Sequence, residues 1–185
     1  MRPAHEIRFS KAGIERNIPC PPLRQVLITS AFDLAALGYA PGELRENVTL
    51  DDPALHDHPS GTILAIGEAR VRLTFHCEPC KIISRGDSLK PLLHRRGVLG
   101  CFQNNGVIRI GDPVTIAPAR AEAIPYESAE RIKWYLAKQS GPVSASELLH
   151  DVGLPTGYAR ALPALLRRSP ELREDAVRFT SRKNR

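Results

Sequence analysis

The residues in this chain with the clearest capacity for chemistry lie in one short run, His76-Cys77-Glu78-Pro79-Cys80-Lys81. A cysteine acts as nucleophile, sulfur carrier or soft-metal ligand as its thiolate, and nearby cations lower its pKa. His76, Lys81 and Arg85 are local to Cys80 in sequence, and Pro79 holds the backbone just before it. Cys80 also follows a strand-like pattern, the place where a β-barrel presents side chains at its rim. It is the candidate catalytic residue and metal ligand, with burial as an inert structural thiol the competing reading. Cys77 and Cys80 form a Cys-x-x-Cys pair, open to a redox dithiol or half of a zinc site. Zinc needs two further ligands, and His56, His58 and His94 stand at no familiar spacing. Cys20 and Cys101 read as structural.

The elements that must position these residues are short. Apolar runs at 25–29, 62–66 and 69–75 read as strands, the last alternating with period two so that one face is covered and the other solvated. Runs at 106–110 and 112–116 flank Gly111, a pattern of two short strands joined at a tight bend, as in barrels. Residues 30–38 read as a short helix or turn, 51–60 as loop, and 117–124 as a linker. Beyond it the character becomes helical. A first helix is expected over 128–139 with Ser128 as N-cap, and a second capped by Ser144 with Glu147 three residues on. A third runs from Thr156 through Leu166, kinked at Pro163. The expected division is a β domain over 1–120 and a helical module over 125–185.

Composition sets outer limits. Hydrophobic residues make 42% and charged residues 25% of the 185, an ordinary globular balance. No apolar run approaches the roughly 18 residues of a membrane span, and the opening lacks an apolar signal core, so a cytoplasmic protein without membrane contact is expected. The net charge is +6, and the basic surplus is concentrated in the helical tail. Such a surplus suits contact with a polyanion.

Several runs taken together resemble a known family. Gly13-Ile14-Glu15-Arg16, Gly42-Glu43-Leu44-Arg45-Glu46-Asn47-Val48-Thr49, Ile66-Gly67, Pro79-Cys80 and Gly106-Val107-Ile108-Arg109-Ile110-Gly111-Asp112-Pro113-Val114 occur in the order expected of a MOSC domain. That is the C-terminal domain of molybdenum-cofactor sulfurases, also found as stand-alone bacterial proteins. The resemblance covers about residues 13–116 and implies a mainly β, strand-rich, barrel-like fold. It implies that Cys80 carries sulfur as a persulfide or ligates the molybdenum of a pterin cofactor. Glu46 and Asn47 match the family's paired residues and would bind ligand or lock a turn. Arg45, Arg72, Lys81, Arg85 and Arg109 are candidates to anchor the phosphate or the pterin. The sequence departs from the family at Glu78, where a base is usual and where a carboxylate opposes thiolate formation. This chain has no pyridoxal-phosphate lyase domain, so a sulfur donor would be a separate protein, and a molybdoenzyme is the matching recipient.

The tail resembles the helix-turn-helix of alkylguanine-DNA alkyltransferases and alkyltransferase-like proteins, a small winged-helix-like module. Ala159-Arg160-Ala161 matches the recognition helix, with Arg160 at the position that enters the DNA stack. The resemblance implies contact with double-stranded DNA through Thr156, Tyr158, Arg160, Arg167 and Arg168, while a dimerisation or lid module is the plainer reading. The alkyl-accepting Pro-Cys-His-Arg motif is absent, which excludes alkyl transfer. The leading expectation is a MOSC-type domain that binds a molybdenum–pterin or sulfur-bearing ligand at Cys80 and couples it to DNA. The alternatives are a sulfur-transfer enzyme or molybdenum-dependent reductase with a structural tail, and a DNA-binding protein with an inactive β domain.

Overall fold

The short apolar runs and the alternating run of the sequence become the strands of two sheets. The computed structural model describes residues 4–80, 82–83, 88–172 and 175–179, and the chain divides into two units, Met1–Ile124 and Pro125–Arg185. The first unit holds β1 (Glu6–Ser10), β2 (Gly13–Ile14), β3 (Val26–Ser30), α1 (Ala31–Leu37), β4 (Val48–Leu50), β5 (Thr62–Ile66), β6 (Ala69–His76), β7 (Val98–Phe102), β8 (Gly106–Arg109) and β9 (Val114–Arg120). Six strands form a sheet in the order β4-β3-β7-β6-β5-β9, and three form a second in the order β2-β1-β8. Every residue of β3 and β7 is buried. Residues of both sheets share one core, where Phe9 of β1 stacks on Phe102 of β7 at 4.3 Å between ring centroids.

Strands expected at 25–29, 62–66 and 69–75 are present within a residue or so. The two short strands expected on either side of Gly111 are present as β8 and β9. Gly111 makes the bend at φ +86, but β8 pairs with β1 while β9 pairs with β5. The corner therefore passes the chain from one sheet to the other and helps to curl the structure. Gly67 (φ +52) makes the turn between β5 and β6, and a side chain there would overlap the Asp112 carboxylate. Residues 117–120, read as linker, extend β9, because Thr62 pairs with Arg120 across a bulge. The first unit closes at buried Ile124, whose N–H donates to Ser60 Oγ.

Between β3 and β4 the chain makes a crossover through α1, which lets the two strands run parallel. Gly38 closes α1 in the left-handed conformation. The return segment, residues 38–47, carries Arg45, Glu46 and Asn47 to the start of β4.

In the second unit α2 (Ser128–Leu136), β10 (Val143–Ser144), α3 (Ala145–Asp151), α4 (Leu162–Arg167) and β11 (Val177–Arg178) enclose a separate core around Ile132, Leu148, Leu149 and Leu162. Ser144 caps α3 as expected, its Oγ accepting the N–H of Glu147 at 3.1 Å. Glu127, not Ser128, precedes α2. Tyr135 donates its hydroxyl to Asp151 at 2.7 Å and ties α2 to α3; burial and that carboxylate push the phenol pKa up. The expected third helix is corrected. Thr156–Arg160 forms a 3-10 turn, and α4 begins at Leu162 with Pro163 in its first turn. A proline there sacrifices no helical hydrogen bond, so it starts a helix and does not kink one. No helix among the described residues is long and apolar enough to cross a membrane.

Candidate functional site

A cleft of about 900 Å³ is lined by β1, β4, β8 and the ends of the segments that join them. Glu46 stands on this cleft with 4% of its surface exposed. Its Oε1 accepts the N–H of Gly42 and the Thr49 hydroxyl, whereas its Oε2 is buried without a hydrogen-bond partner. Burying a carboxylate oxygen unpaired is costly, so Oε2, buried just behind the cleft wall that Glu46 helps to form, gains from any donor that reaches it.

Asn47, the next residue, is committed to the fold. Its N–H donates to Leu27 O and its Oδ1 accepts from Leu27 N–H, both at 2.8 Å. The side chain thus supplies the ladder bond that β3 would lack just before its pairing with β4 begins. Asn47→Ala should cost about 1–2 kcal/mol, seen as a lower urea midpoint, while Asn47→Asp keeps the acceptor and should lose less.

Arg109 lies on the cleft but is answered by carboxylates, 3.4 Å from Glu68 and 3.8 Å from Glu6, and its N–H donates to Asp112. Arg16, which the residue pattern did not single out as a site residue, lines the cleft too. Its backbone is left-handed at φ +60, and its guanidinium has no ion-pair partner among the described residues. A non-glycine in that conformation is the local sign, and it shows in the backbone and not in the residue types. Arg45 is exposed at φ +62 on the segment before Glu46 and does not line the cleft. Arg72 donates to Glu122 O. Lys81 and Arg85 lie outside the described residues.

Cys80 is half-buried and packs against the cluster of Leu34, Leu44, Ile83 and Leu92. It is not part of the cleft lining. The segment 41–47 divides the two places, with Leu44 in the thiol's cluster and Gly42, Glu46 and Asn47 on the cleft. Cys77 and Cys101 are buried, and burial pushes both thiols up. Arg96 and Arg24 partly offset the rise at Cys77, and Cys80 and Glu78 add to it. Glu78 also favours protonated His76, so its carboxylate field acts on the residues around the Cys-x-x-Cys run. Among the described residues no three His, Cys, Asp or Glu side chains gather as a metal-binding set. His58 pairs with Asp52 at 2.8 Å, apart from His56 and His94. Those two meet His76 instead, a grouping that their spacing in sequence does not reveal.

In the helical unit Thr156, Arg160, Arg167 and Arg168 are exposed, and Tyr158 packs against the core. Ala159 and Arg160 lie in the 3-10 turn and Ala161 in the bend after it, so no α-helix presents this run.

A mainly β chain curled into a half-barrel, with a cysteine after the long strand that ends at His76, defines a small class of proteins. Residues 22–115 match the MOSC domain, and the chain belongs to that family. Three solved structures are similar. YiiM from Geobacillus stearothermophilus is 17% identical, the match covering 89% of this chain and 86% of that one, with a TM-score of 0.57. YiiM from Escherichia coli is 18% identical over 94% and 90%, with a TM-score of 0.52. The YuaD protein from Bacillus subtilis is 17% identical over 61% and 85%, with a TM-score of 0.52. At such identities the likeness is one of fold. Coverage of 94% exceeds what residues 1–124 alone could supply, so the match with the Escherichia coli YiiM extends into the helical unit. No curated protein matches this sequence at a significant level.

Proposed function

We propose that the β unit binds a molybdenum–pterin cofactor, with the cleft taking its organic and phosphate portions and the 41–47 segment yielding so that Cys80, on its other side, serves as the soft ligand. The observation that carries this reading is the buried, partnerless Oε2 of Glu46 on a cleft that also holds Arg16, which has no ion-pair partner among the described residues. A pterin offers an edge of N–H donors to such a carboxylate oxygen, and a phosphate suits an arginine. The cleft volume lies within the range usual for small-molecule sites. When bound, the cofactor would supply redox chemistry at a metal that favours thiolate ligation. The chain's own part is to orient the ligand through Glu46, to neutralise its anionic end through Arg16, and to offer the Cys80 thiol.

A second reading is sulfur carriage on Cys80, which is half-buried, as Cys20 also is, while Cys77 and Cys101 are buried. In that step the Cys80 thiolate attacks the terminal sulfur of a donor protein's persulfide. A Cys80–S–S bond forms, the donor's S–S bond breaks, and the donor cysteine leaves as a thiolate.

Protein purified from molybdate-supplemented cells tests both. Molybdenum is measured by plasma mass spectrometry, pterin by fluorescence after oxidation, and sulfur by intact mass. Parent protein should carry molybdenum and pterin; Arg16→Ala should retain about tenfold less pterin, and Cys80→Ser should lose molybdenum. Parent protein without either component overturns the cofactor reading. An added mass of about 32 Da that Cys80→Ser removes establishes the sulfur carrier instead.

A further inference from the structure

Three imidazoles from distant parts of the first unit stand in a column. The rings of His56 and His76 are stacked with centroids 5.6 Å apart, and His76 meets His94 edge-on at 5.3 Å. His56 belongs to the 3-10 turn Leu55–Asp57, His76 ends β6, and His94 follows the 3-10 turn Lys90–Leu92. The column is tied at both ends to α1. Asp33 Oδ2 lies 2.8 Å from His56 Nδ1, and Asp33 Oδ1 accepts from Arg95 at 2.8 and 2.6 Å. His76 Nδ1 in turn lies 3.2 Å from the His94 carbonyl. Asp33, His56, His76, His94 and Arg95 therefore close a ring that fastens α1, the 55–57 turn, β6 and the 90–96 segment together. Cys80 packs against the cluster that contains Leu34, beside Asp33 in α1, and Leu92, two residues before His94. The thiol is held by two of the elements that the ring fastens.

We infer that this ring is a pH-sensitive clasp over Cys80: closed while His56 and His76 are neutral, and parted when they take up protons, so that the thiol is released from its packing. Burial is the main cause that favours the neutral form of both rings. Around His56, Asp33 and Asp57 favour the proton and Arg95 opposes it. Around His76, His56 and His94 oppose it, while the His94 carbonyl and Glu78 favour it. Both His56 nitrogens are buried, Nδ1 close to Asp33 but outside hydrogen-bond geometry and Nε2 with no partner, so a proton placed on Nε2 has no acceptor waiting. Both folded-state pKa values lie below the ordinary 6.5. The stability that the neutral rings contribute is therefore complete above that value, and it is lost as pH falls through the lower folded-state values. The histidine range is the right one for such a device.

The test is alkylation of Cys80 by N-ethylmaleimide in the full chain, read by peptide mass mapping. At each pH the rate is divided into that of the denatured protein, which removes the intrinsic pH dependence of the thiol. The resulting protection should fall about tenfold between about pH 7.5 and 5.5 in the parent. It should stay level in His76→Phe, whose ring fills the column but cannot charge, and His76→Gln serves if that variant does not fold. Cys101 in β7 is the internal control and should remain protected throughout. Constant protection in the parent, a fall that persists in both variants, or simultaneous exposure of Cys80 and Cys101 overturns the clasp.

Discussion

A Glu46→Gln variant, free of ligand, should melt about 2–4 °C above the parent, and it should hold pterin at least about tenfold more weakly. The two effects have one cause. The glutamine oxygen can keep the bonds that Oε1 accepts from Gly42 and Thr49. The other oxygen, buried and without a partner, becomes a neutral amide nitrogen, so an uncompensated charge leaves the interior. Relieving a buried unpaired charge stabilises by about 1 kcal/mol or more. A ligand edge of N–H donors would then meet a donor in place of an acceptor, and a mismatch of that kind costs at least about 1.4 kcal/mol, a factor of ten. Calorimetry on ligand-free protein and pterin assay of protein as purified give the two numbers. A melting temperature several degrees below the parent would show that the free carboxylate oxygen is already satisfied, and the proposal would lose its main support. The opposite movement of stability and binding separates a ligand-binding Glu46 from one that merely braces the 41–47 segment.

Gly100→Val should abolish the folded β unit. Gly100 lies in β7, between β3 and β6 in the middle of the six-stranded sheet. A Cβ there would stand 2.7 Å from Val71 Cγ1, 3.1 Å from Arg72 O and 3.2 Å from Val26 Cγ1. Two of these neighbours are β-branched side chains of the flanking strands and one is backbone, so none can move aside cheaply. Overpacking of this kind costs about 1–3 kcal/mol for one added carbon and more for an isopropyl group. That is a large share of the roughly 5–15 kcal/mol by which a domain is stable. Gly100→Ala should fold with a lowered urea midpoint, and Gly100→Val should leave the backbone amides of β3, β6 and β7 without hydrogen-exchange protection. A valine variant that melts within a few degrees of the parent would mean that the sheet can open locally at this point.

Much of the β unit was open to reading from the chain alone. The strands at 62–66 and 69–76 declare themselves by apolar runs and by alternation, the latter reporting one covered face and one wet one. Ser144 and Glu147 declare the start of α3 because a cap is a contact three residues long. The order of short runs from Gly13 to Val114 led to the MOSC family, which the match over residues 22–115 establishes. Strand β7 was missed for a definite reason. Both of its faces are covered, so Val98-Leu99-Gly100-Cys101-Phe102 carries no alternation, and Gly100 in its middle, a weak strand former, breaks the apolar run by which β3 could be read. The third helix begins later than its apolar spacing suggests, because Pro163 stands at the start of a helix and not within one.

Local patterning determined which segments become strands and helices, where several of them end, and which thiol is worth testing. Those properties depend on neighbours two to four residues away, and the chain carries them in order. The folded structure decided that Glu46 keeps one oxygen free, that Asn47 is spent on the β3–β4 ladder, and that Arg16 stands on the cleft with no ion-pair partner among the described residues. It also decided that Cys80 lies across the 41–47 segment from that cleft, and that His56, His76 and His94 meet. Each of these depends on residues brought together by sheet pairing and by the α1 crossover, over separations at which side-chain periodicity has no memory.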